Sequence, residues 1–469
     1  MIGAAFQHQL RMTRRSPAVL LIIGLFVGAS LYALAVGQRS HGEWVAAVQS
    51  AKQEEAKAVA EVRGWFERGQ KGPEDQDWID ITQPAWQDVR AGTRLVRHPA
   101  PLAGIAAGAV DEAPVAIKLD RWANPSNAEG VRIENPEFSR AASLDLVFVF
   151  VLFIPILVGI LGLGIGSWER EHAVDRAVAV QAGRAGFWFV ARTVVVTGIA
   201  ATVVVAVCGA CVGGARPDLE STAGLVGLAV LYTVFWGGVS LATGATASRL
   251  QDGAFSYGLV WALLCVVLPA AMSEWALAQV SAEYAVDRSM SVRTQQYAIF
   301  KLEPDELRAR LRGTFPAAAG LPAFQADDLP RPIRDPIFAG LTFALVEESH
   351  EAQMAREAET ARAIAWTVWA SPAIALAQGF EGLAGVGQEV AVAFRGHVIR
   401  STRQRITWLL EETGSQRELG VADFEALLRE SSMPFVPDAV RIGTPLRSLG
   451  MWALAAWALG MVLIWRSDL

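Results

Sequence analysis

Two short stretches carry residue types that could perform chemistry. Cys208 and Cys211 have the C-x-x-C spacing of a redox or metal-binding pair, and His350 and Glu351 begin like the H-E-x-x-H zinc motif. Both interpretations fail on context. The cysteines lie deep in an apolar run, where thiols are buried and inert, and Met354 stands where the second histidine ligand would be. We therefore predict no catalytic residue, no metal site and no cofactor in this chain, and we interpret His350 as a solvated helix residue.

A third stretch, residues 166–188, combines three acids, three arginines and one histidine between two of the most apolar runs of the chain. Such residues can form ion pairs and a docking surface rather than make or break bonds. On a helix, Val174 and Val178 fall on one stripe, and Glu169 and Asp175 lie toward another, so the stretch is amphipathic. Two interpretations follow: an interfacial helix with snorkelling arginines, or a docking element that receives force from a soluble cytoplasmic partner.

The composition indicates a membrane protein with large aqueous parts. Of the 469 residues, 52% are hydrophobic, which is too apolar for an ordinary soluble enzyme, yet 19% are charged and must contact water. The net charge of -6 provides no basic surface of the kind that binds nucleic acid. No nucleic-acid partner is therefore expected.

A bilayer core about 30 Å thick requires roughly 20 apolar residues in a helix, and six runs are of about this length. The first is not typical of a cleaved signal peptide, because its apolar run is longer than the hydrophobic region of such peptides. The predicted fold is an all-α polytopic membrane protein. Its six transmembrane helices are predicted at residues 17–36, 146–166, 187–214, 223–247, 254–273 and 449–465.

Arginines cluster beside the short connections between these runs and after the last one. By the positive-inside rule, both termini are cytoplasmic, and the two long segments at residues 37–145 and 274–448 lie outside. Apolar residues at helical spacing, interrupted by Pro- and Gly-rich stretches, predict that these segments pack together as one composite, mostly helical extracytoplasmic domain. Because arginine far outnumbers lysine, we expect a bacterial chain in the cytoplasmic (inner) membrane.

Few ionisable residues lie within the spans. Asp145, Arg192 and Glu274 each sit at a span boundary, where the side chain can snorkel to water. A secondary transporter would show broken helices and ionisable groups at mid-membrane, and an intramembrane protease would need a catalytic set there. The sequence favours neither class.

Glycines at short spacing predict where the spans approach one another closely. An alternative explanation is that glycine is simply common in membrane helices. The glycines concerned are Gly159, Gly162 and Gly166 on the second span and Gly237, Gly238 and Gly244 on the fourth.

The charged stretch resembles a connection in a known permease family. The Glu-Arg-Glu run at residues 169–171, followed by a small apolar helix and a Gly-Arg turn at residues 183–184, resembles the corresponding connection of ABC-2 type transporter permeases. Here Ala173 stands where the family usually has glycine, and residues 181–183 replace its proline-containing turn. The amphipathic entry helix at residues 1–16 and the long segments after spans 1 and 5 also match a subgroup of this family.

The resemblance implies a subunit without chemistry of its own. No G-x-x-x-x-G-K-[ST] phosphate loop occurs in the sequence, so ATP and Mg²⁺ would be bound by two cytoplasmic ABC ATPase subunits. A second permease copy, identical or homologous, would complete the assembly. In the family, the entry helix and the connection at residues 167–186 contact the ATPases. The coupling residues implied by the resemblance are Trp168, Glu169, Arg170, Glu171, Val174, Arg176, Val178 and Arg184.

Two functions are compatible with these features. The first is ATP-driven export of a substrate through the spans. The second is a non-transporting assembly or mechanotransmission subunit, in which the extracytoplasmic domain acts on a partner protein or lipid outside. The sequence names neither the substrate nor the partner.

One apolar segment before the last span is interrupted by a proline and four glycines. Proline and glycine at this density rarely leave a helix straight. The segment is either a packed corner of the domain or a hinged, membrane-proximal element that lies against the outer leaflet or gates the exit of the pathway. The gate residues of the second interpretation are Pro372, Ile374, Phe380 and Leu383.

Overall fold

The computed structural model describes residues 2–112, 114–123, 144–182, 186–279, 293–431, 434–437 and 442–467. About 80% of the structure is helical, and six helices in the described ranges are long and apolar enough to cross a membrane. An all-α, multi-pass membrane protein is therefore confirmed. The side of the membrane on which each end lies stays a prediction.

The elements follow in chain order, with a two-stranded antiparallel sheet that pairs Leu95 with Ile117. The first part of the chain has α1 (Ile2–Arg15), α2 (Pro17–Glu67), α3 (Pro84–Arg90), β1 (Arg94–Val96), a 3₁₀ helix (Ala103–Glu112) and β2 (Ala116–Lys118). The middle part has α4 (Leu146–Gly162), α5 (Ser167–Glu171), α6 (Val174–Ala182), α7 (Gly186–Ala215), α8 (Leu219–Thr246), α9 (Leu250–Ala262), a π-helical turn (Leu263–Val267) and α10 (Leu268–Gln279). The last part has α11 (Pro304–Thr314), α12 (Pro316–Ala319), α13 (Pro322–Gln325), α14 (Arg331–Ala365), α15 (Thr367–Ala370), α16 (Pro372–Ala384), α17 (Gln388–Ser415), α18 (Val421–Ser431) and α19 (Gly443–Ser467).

Six of these elements form the membrane bundle. Spans 1 to 4 are α2, α4, α7 and α8, span 5 comprises α9, the π-helical turn and α10, and span 6 is α19. In the most apolar stretch of span 4, 72% of the residues are buried, compared with 17% in span 1 and 6% in span 5. Span 4 is therefore the centre of the bundle, and spans 1 and 5 lie at its edge.

Span 1 does not end where its apolar run ends. Ser16 caps the helix by accepting a hydrogen bond from the Val19 N–H at 3.4 Å, and the helix then continues to Glu67 without interruption. At 1.5 Å per residue, its 51 residues extend about 77 Å, well over twice the thickness of a bilayer core. The sequence places a span at residues 17–36 followed by a separate helix, whereas the structure joins the two because no proline interrupts the polar region between them.

The glycines of spans 2 and 4 do permit close contacts. A Cβ added at Gly159 would lie 2.5 Å from a ring carbon of Tyr257, and one at Gly166 would lie 2.7 Å from the carbonyl oxygen of Gly244. Real Cβ atoms do not approach other atoms so closely, so larger residues would force the helices apart. The other four predicted glycines are equally crowded, which confirms their packing role.

Span 2 contains a proline whose lost hydrogen bond is replaced from neighbouring spans. Pro155 has no N–H, so the carbonyl of Val151 loses its helical partner. The hydroxyl of Tyr232 on span 4 donates to that carbonyl at 2.8 Å, and the hydroxyl of Tyr257 on span 5 donates to the carbonyl of Pro155 at 2.6 Å. These bonds hold spans 2, 4 and 5 together at mid-bundle, where water is excluded.

Parts of the two long segments pack on each other as one composite domain. The guanidinium of Arg405 on α17 pairs with the carboxylate of Asp88 on α3 at 2.7 Å, and both side chains are fully buried. Val62 and Trp65 at the far end of α2 share an apolar cluster with Phe424 of α18. The two segments thus form one mostly helical unit, and its position outside the cytoplasm stays a prediction.

Two polar residues of this domain are more buried than their types indicate. His350 is only 8% exposed, so its interpretation as a solvated helix residue is wrong. Arg97 is 2% exposed and stacks on Trp44, whose indole N–H donates to the Arg97 carbonyl at 2.8 Å. Burial lowers the pKa of Arg97 to about 10, which still leaves it charged at neutral pH.

Candidate functional site

The candidate site, which we call the joint, comprises residues 163–182 between spans 2 and 3. Its first part is a tight turn in which Gly164 and Gly166 have φ angles of 94° and 84°. This region of backbone conformation is open to glycine and strained for other residues. The turn reverses the chain after the end of span 2, and α5 then packs on the end of span 4.

Glu169 is the centre of the joint, although it is 2% exposed. Its Oε2 accepts the Gly166 N–H at 2.8 Å, and its Oε1 forms an ion pair with Arg192 on span 3. Arg192 is also buried, and its Nε donates to Oε1 of Gln9 on the entry helix at 2.8 Å. One carboxylate therefore links α5, span 3 and α1.

The next two residues connect the joint to spans 4 and 5. Arg170 donates from Nε to the carbonyl of Ala247 at 3.0 Å, and from Nη2 to the carbonyl of Gly244. These carbonyls end span 4 and have no helical partner of their own. Oε2 of Glu171 accepts the N–H of Leu250, the first residue of span 5, at 2.9 Å. The Glu-Arg-Glu run thus binds the ends of three spans within its own chain.

The connection is two helices rather than the single helix that the sequence predicts. The break follows His172, and Ala173 has a φ angle of 56°, in the left-handed region. Left-handed backbone costs a non-glycine residue roughly 1–2 kcal/mol.

We expect Ala173→Gly to leave the stability of the chain unchanged or to raise it by up to about 1 kcal/mol, because relief of the left-handed strain offsets the greater freedom of the unfolded chain. Ala177→Gly, in the exposed interior of α6, is the matched control and should lower stability by about 1 kcal/mol. The measurement is the midpoint of thermal unfolding of both variants in detergent. Equal losses for both would show that the strain at Ala173 is absent.

The surface of the joint differs from its interior. Trp168 is 42% exposed and stacks on His172 with 4.4 Å between ring centroids. Val180 is 88% exposed, a high value for an apolar residue on a helix, and Arg176 and Ala177 beside it are also exposed. Together Arg176, Ala177 and Val180 form what we call the open face of α6.

The predicted coupling residues therefore divide into three groups. Trp168 and Arg176 lie on the surface, and residues 169–171 bind their own chain. Val174 and Val178 are half-buried, with Val178 packed on the bundle core. Arg184 lies outside the described residues.

Four residues of the site were missed by sequence reasoning. Val180 and Ala177 gave no signal beyond helical spacing, and Gln9 is too distant in sequence to be paired with the joint. For Arg192 the sequence did contain a signal, because a charged residue inside a span requires a partner. Its assignment as a snorkelling residue is wrong, since its side chain is 8% exposed and paired with Glu169.

A second element lies at the opposite end of the bundle, where the composite domain meets the membrane. Trp366 contacts Trp275 at the end of span 5, with 5.9 Å between ring centroids. Five residues later, the Ser371 hydroxyl donates to the Leu264 carbonyl at 3.0 Å, in the π-helical turn of span 5. Leu264 lies eleven residues before Trp275, or about 16 Å along the span. Residues 366–371 thus enter the bundle.

Helix α16 then returns toward the composite domain. Ser371 caps it by accepting the Ala373 N–H at 3.2 Å, and Gly385 ends it in the left-handed conformation with φ 65°. Phe380 is fully buried and packs on Phe150 of span 2 with 5.6 Å between ring centroids. We call residues 366–384 the re-entrant segment. Polar backbone at this depth is tolerated because protein surrounds it.

The predicted gate residues all lie on this segment. Pro372, Phe380 and Leu383 are buried among spans 2, 4 and 6, and Ile374 is half-buried. The segment lies inside the bundle and packs on the spans, as the packed-corner interpretation requires. Whether it also opens to pass a substrate stays a prediction.

Comparison with protein-family models, with curated proteins and with solved structures gives no match to this chain. The resemblance to ABC-2 type permeases therefore stays a prediction from the motifs of the sequence.

Proposed function

We propose that this chain is the membrane-spanning permease subunit of an ABC-2 type transporter. It would couple ATP hydrolysis by a separate ATPase subunit to export of a substrate across a bacterial inner membrane. The joint carries the proposal: Glu169 ties the entry helix, the connection and span 3 together, while the adjacent open face of α6 is uncovered. An apolar and basic face on a short helix fits a cytoplasmic partner that presses on it.

A displacement of α5 and α6 would reach the spans through the contacts of the Glu-Arg-Glu run. Glu169 holds span 3, where Arg192 in turn binds Gln9 of α1. Arg170 holds the end of span 4, and Glu171 holds the start of span 5. The Glu169–Arg192 pair is charged and shielded from water, so it resists being pulled apart. ATP and Mg²⁺ belong to the two ATPase copies in this proposal, and the present chain contributes motion only.

We also propose a second permease copy, identical or homologous, against span 5. The apolar side chains of Phe255, Leu259 and Leu263 recur at helical spacing on this span and are at least half exposed. Span 5 is the least buried of the six, which fits a helix whose partner is a second copy.

A specific observation favours the alternative function as well. Helix α2 runs without interruption from span 1 into the core of the composite domain. A tilt of span 1 would therefore move Trp65 and the apolar cluster around it. A mechanotransmission subunit acting on an extracytoplasmic partner requires such a lever. Export and mechanotransmission share the same joint and the same ATPase.

The test is purification of the full-length chain from its native membrane with bound proteins identified by mass spectrometry. We expect an ATPase with a phosphate loop to co-purify. Val180→Asp should reduce its recovery and the ATP hydrolysis of the complex by about tenfold or more, because a charge would be buried at the centre of the contact. Gln251→Asp, exposed in the first turn of span 5 at the same end of the bundle, is the control. Unchanged recovery for both variants would contradict the proposal.

The proposed orientation has its own test. Single cysteines at Asp77 and Ser415, exposed in the composite domain, should react with a membrane-impermeant maleimide in intact cells, whereas one at Ala177 should react only after lysis. The three native cysteines are buried and serve as background. Labelling at Ala177 in intact cells would reverse the orientation.

A further inference from the structure

A cavity of about 270 Å³ lies between spans 2, 4 and 5, next to the joint. Its walls are the last turns of span 2, the end of span 4 and the first turns of span 5, and its floor includes residues 164–167 of the joint. Gly258 contributes to this space, because a Cβ at this position would meet no atom within 4 Å. The cavity is distinct from the open face of α6 and from the re-entrant segment.

The lining is apolar, and its larger polar groups already have partners. The Tyr257 hydroxyl donates to the Pro155 carbonyl, and the Trp261 indole N–H donates to the Leu152 carbonyl at 3.2 Å. The Thr243 hydroxyl donates to the Val239 carbonyl within its own helix at 3.0 Å. What remains facing the cavity is almost entirely carbon, so the cavity suits a hydrocarbon rather than a polar head group.

The cavity opens on the lipid-facing side of the bundle. Ile160 and Leu163, which lie on its rim, are 37% and 50% exposed on a membrane-spanning helix. At this depth no bulk water is present, and alkyl chains of the bilayer are the apolar groups at hand. With about 270 Å³ of space, the cavity has room for part of one alkyl chain.

We infer that this cavity binds a single alkyl chain of a membrane lipid from the leaflet on the joint side. The chain would enter between Ile160 and Leu163 and lie along Trp261, with its head group left in the interface. Because residues 164–167 form the floor, a bound chain supports the turn that places Glu169. The inference concerns binding to this chain alone and does not depend on an ATPase partner.

The experiment uses the full-length chain in nanodiscs that contain a phosphatidylglycerol with a photoactivatable diazirine near the end of one acyl chain. After irradiation, mass spectrometry maps the residues that carry lipid adducts. We expect adducts to concentrate on cavity residues such as Ile156 and Trp261, and to be sparser on Leu21, which is 64% exposed on span 1.

Two variants fill the cavity. A Cβ at Gly258 meets no atom within 4 Å, so Gly258→Trp can place its ring in the cavity without a backbone clash. Ala254→Phe fills it from the preceding turn of the same helix and serves if the first variant misfolds. Gly198→Trp on span 3 is the matched control, because its Cβ also meets nothing and it does not line the cavity.

We expect either filling variant to reduce cavity adducts by about tenfold or more, with the control unchanged. Adducts spread evenly over lipid-facing residues, or cavity adducts that persist in both filling variants, would overturn the inference. Failure here would leave the ATPase test of the proposed function unaffected.

Discussion

Glu169→Ala is expected to lower the stability of the chain by about 3–5 kcal/mol, because it leaves the Arg192 guanidinium charged and unpaired inside the protein. Arg192→Ala should cost a similar amount for the converse reason. The double variant should be more stable than the sum of the two losses predicts, since it removes both charges together. Thermal unfolding of the purified chain, followed by size-exclusion chromatography, measures all three.

The control for this series is Glu220→Ala. Glu220 is exposed in the first turn of span 4, and its replacement should change stability by no more than about 0.5 kcal/mol. Additive losses in the double variant would mean that Glu169 and Arg192 act independently, and the joint as described here would not exist.

Phe380→Ala should have an effect of the same size, about 3–5 kcal/mol, because the ring is fully buried against Phe150 and a cavity would replace it. Ile374→Ala, on the half-buried side of the same helix, should cost clearly less. Unfolding midpoints of the two variants, measured in parallel, give the comparison. Equal small losses would show that α16 is not packed in the bundle.

A variant of the re-entrant segment can distinguish a packing role from a gating role. Ser371→Ala removes the hydrogen bond to the Leu264 carbonyl while keeping the volume of the side chain almost unchanged. A segment that only packs would lose about 1–3 kcal/mol of stability and keep its transport rate per folded molecule. A segment that also gates would change that rate.

The six spans could be predicted from the sequence because an apolar run of bilayer length is a direct signal of a membrane helix. The close contacts at glycines could also be predicted, because glycines at short spacing within an apolar run are a local signal. The continuity of span 1 could not, since the change from apolar to polar residues near Gly37 marks a change of solvent rather than the end of a helix. The break at Ala173 was hidden as well, because alanine gives no sign of left-handed backbone.

The side-chain contacts inside the joint could not be predicted from the sequence, for a different reason. The charges of residues 169–171 indicated a surface, whereas Glu169 pairs with the buried Arg192. Arg192 in turn binds Gln9, which is 183 residues away in sequence and meets it only through the packing of α1 on span 3. The same holds for Asp88 and Arg405, which are separated by 317 residues. A pattern of residue types predicts that a buried charge needs a partner, but it does not identify the partner.

We propose that an ATPase docks on the open face of α6, and photo-cross-linking from this face tests the contact. A photo-reactive benzoyl-phenylalanine at Val180, 88% exposed, is incorporated into the full-length chain in its native membrane and irradiated. We expect a covalent product that contains a protein with a phosphate loop, and no such product when the photo-reactive residue is placed at Gln251. Cross-links from Val180 to lipid alone, or to a protein without a nucleotide-binding site, would contradict it.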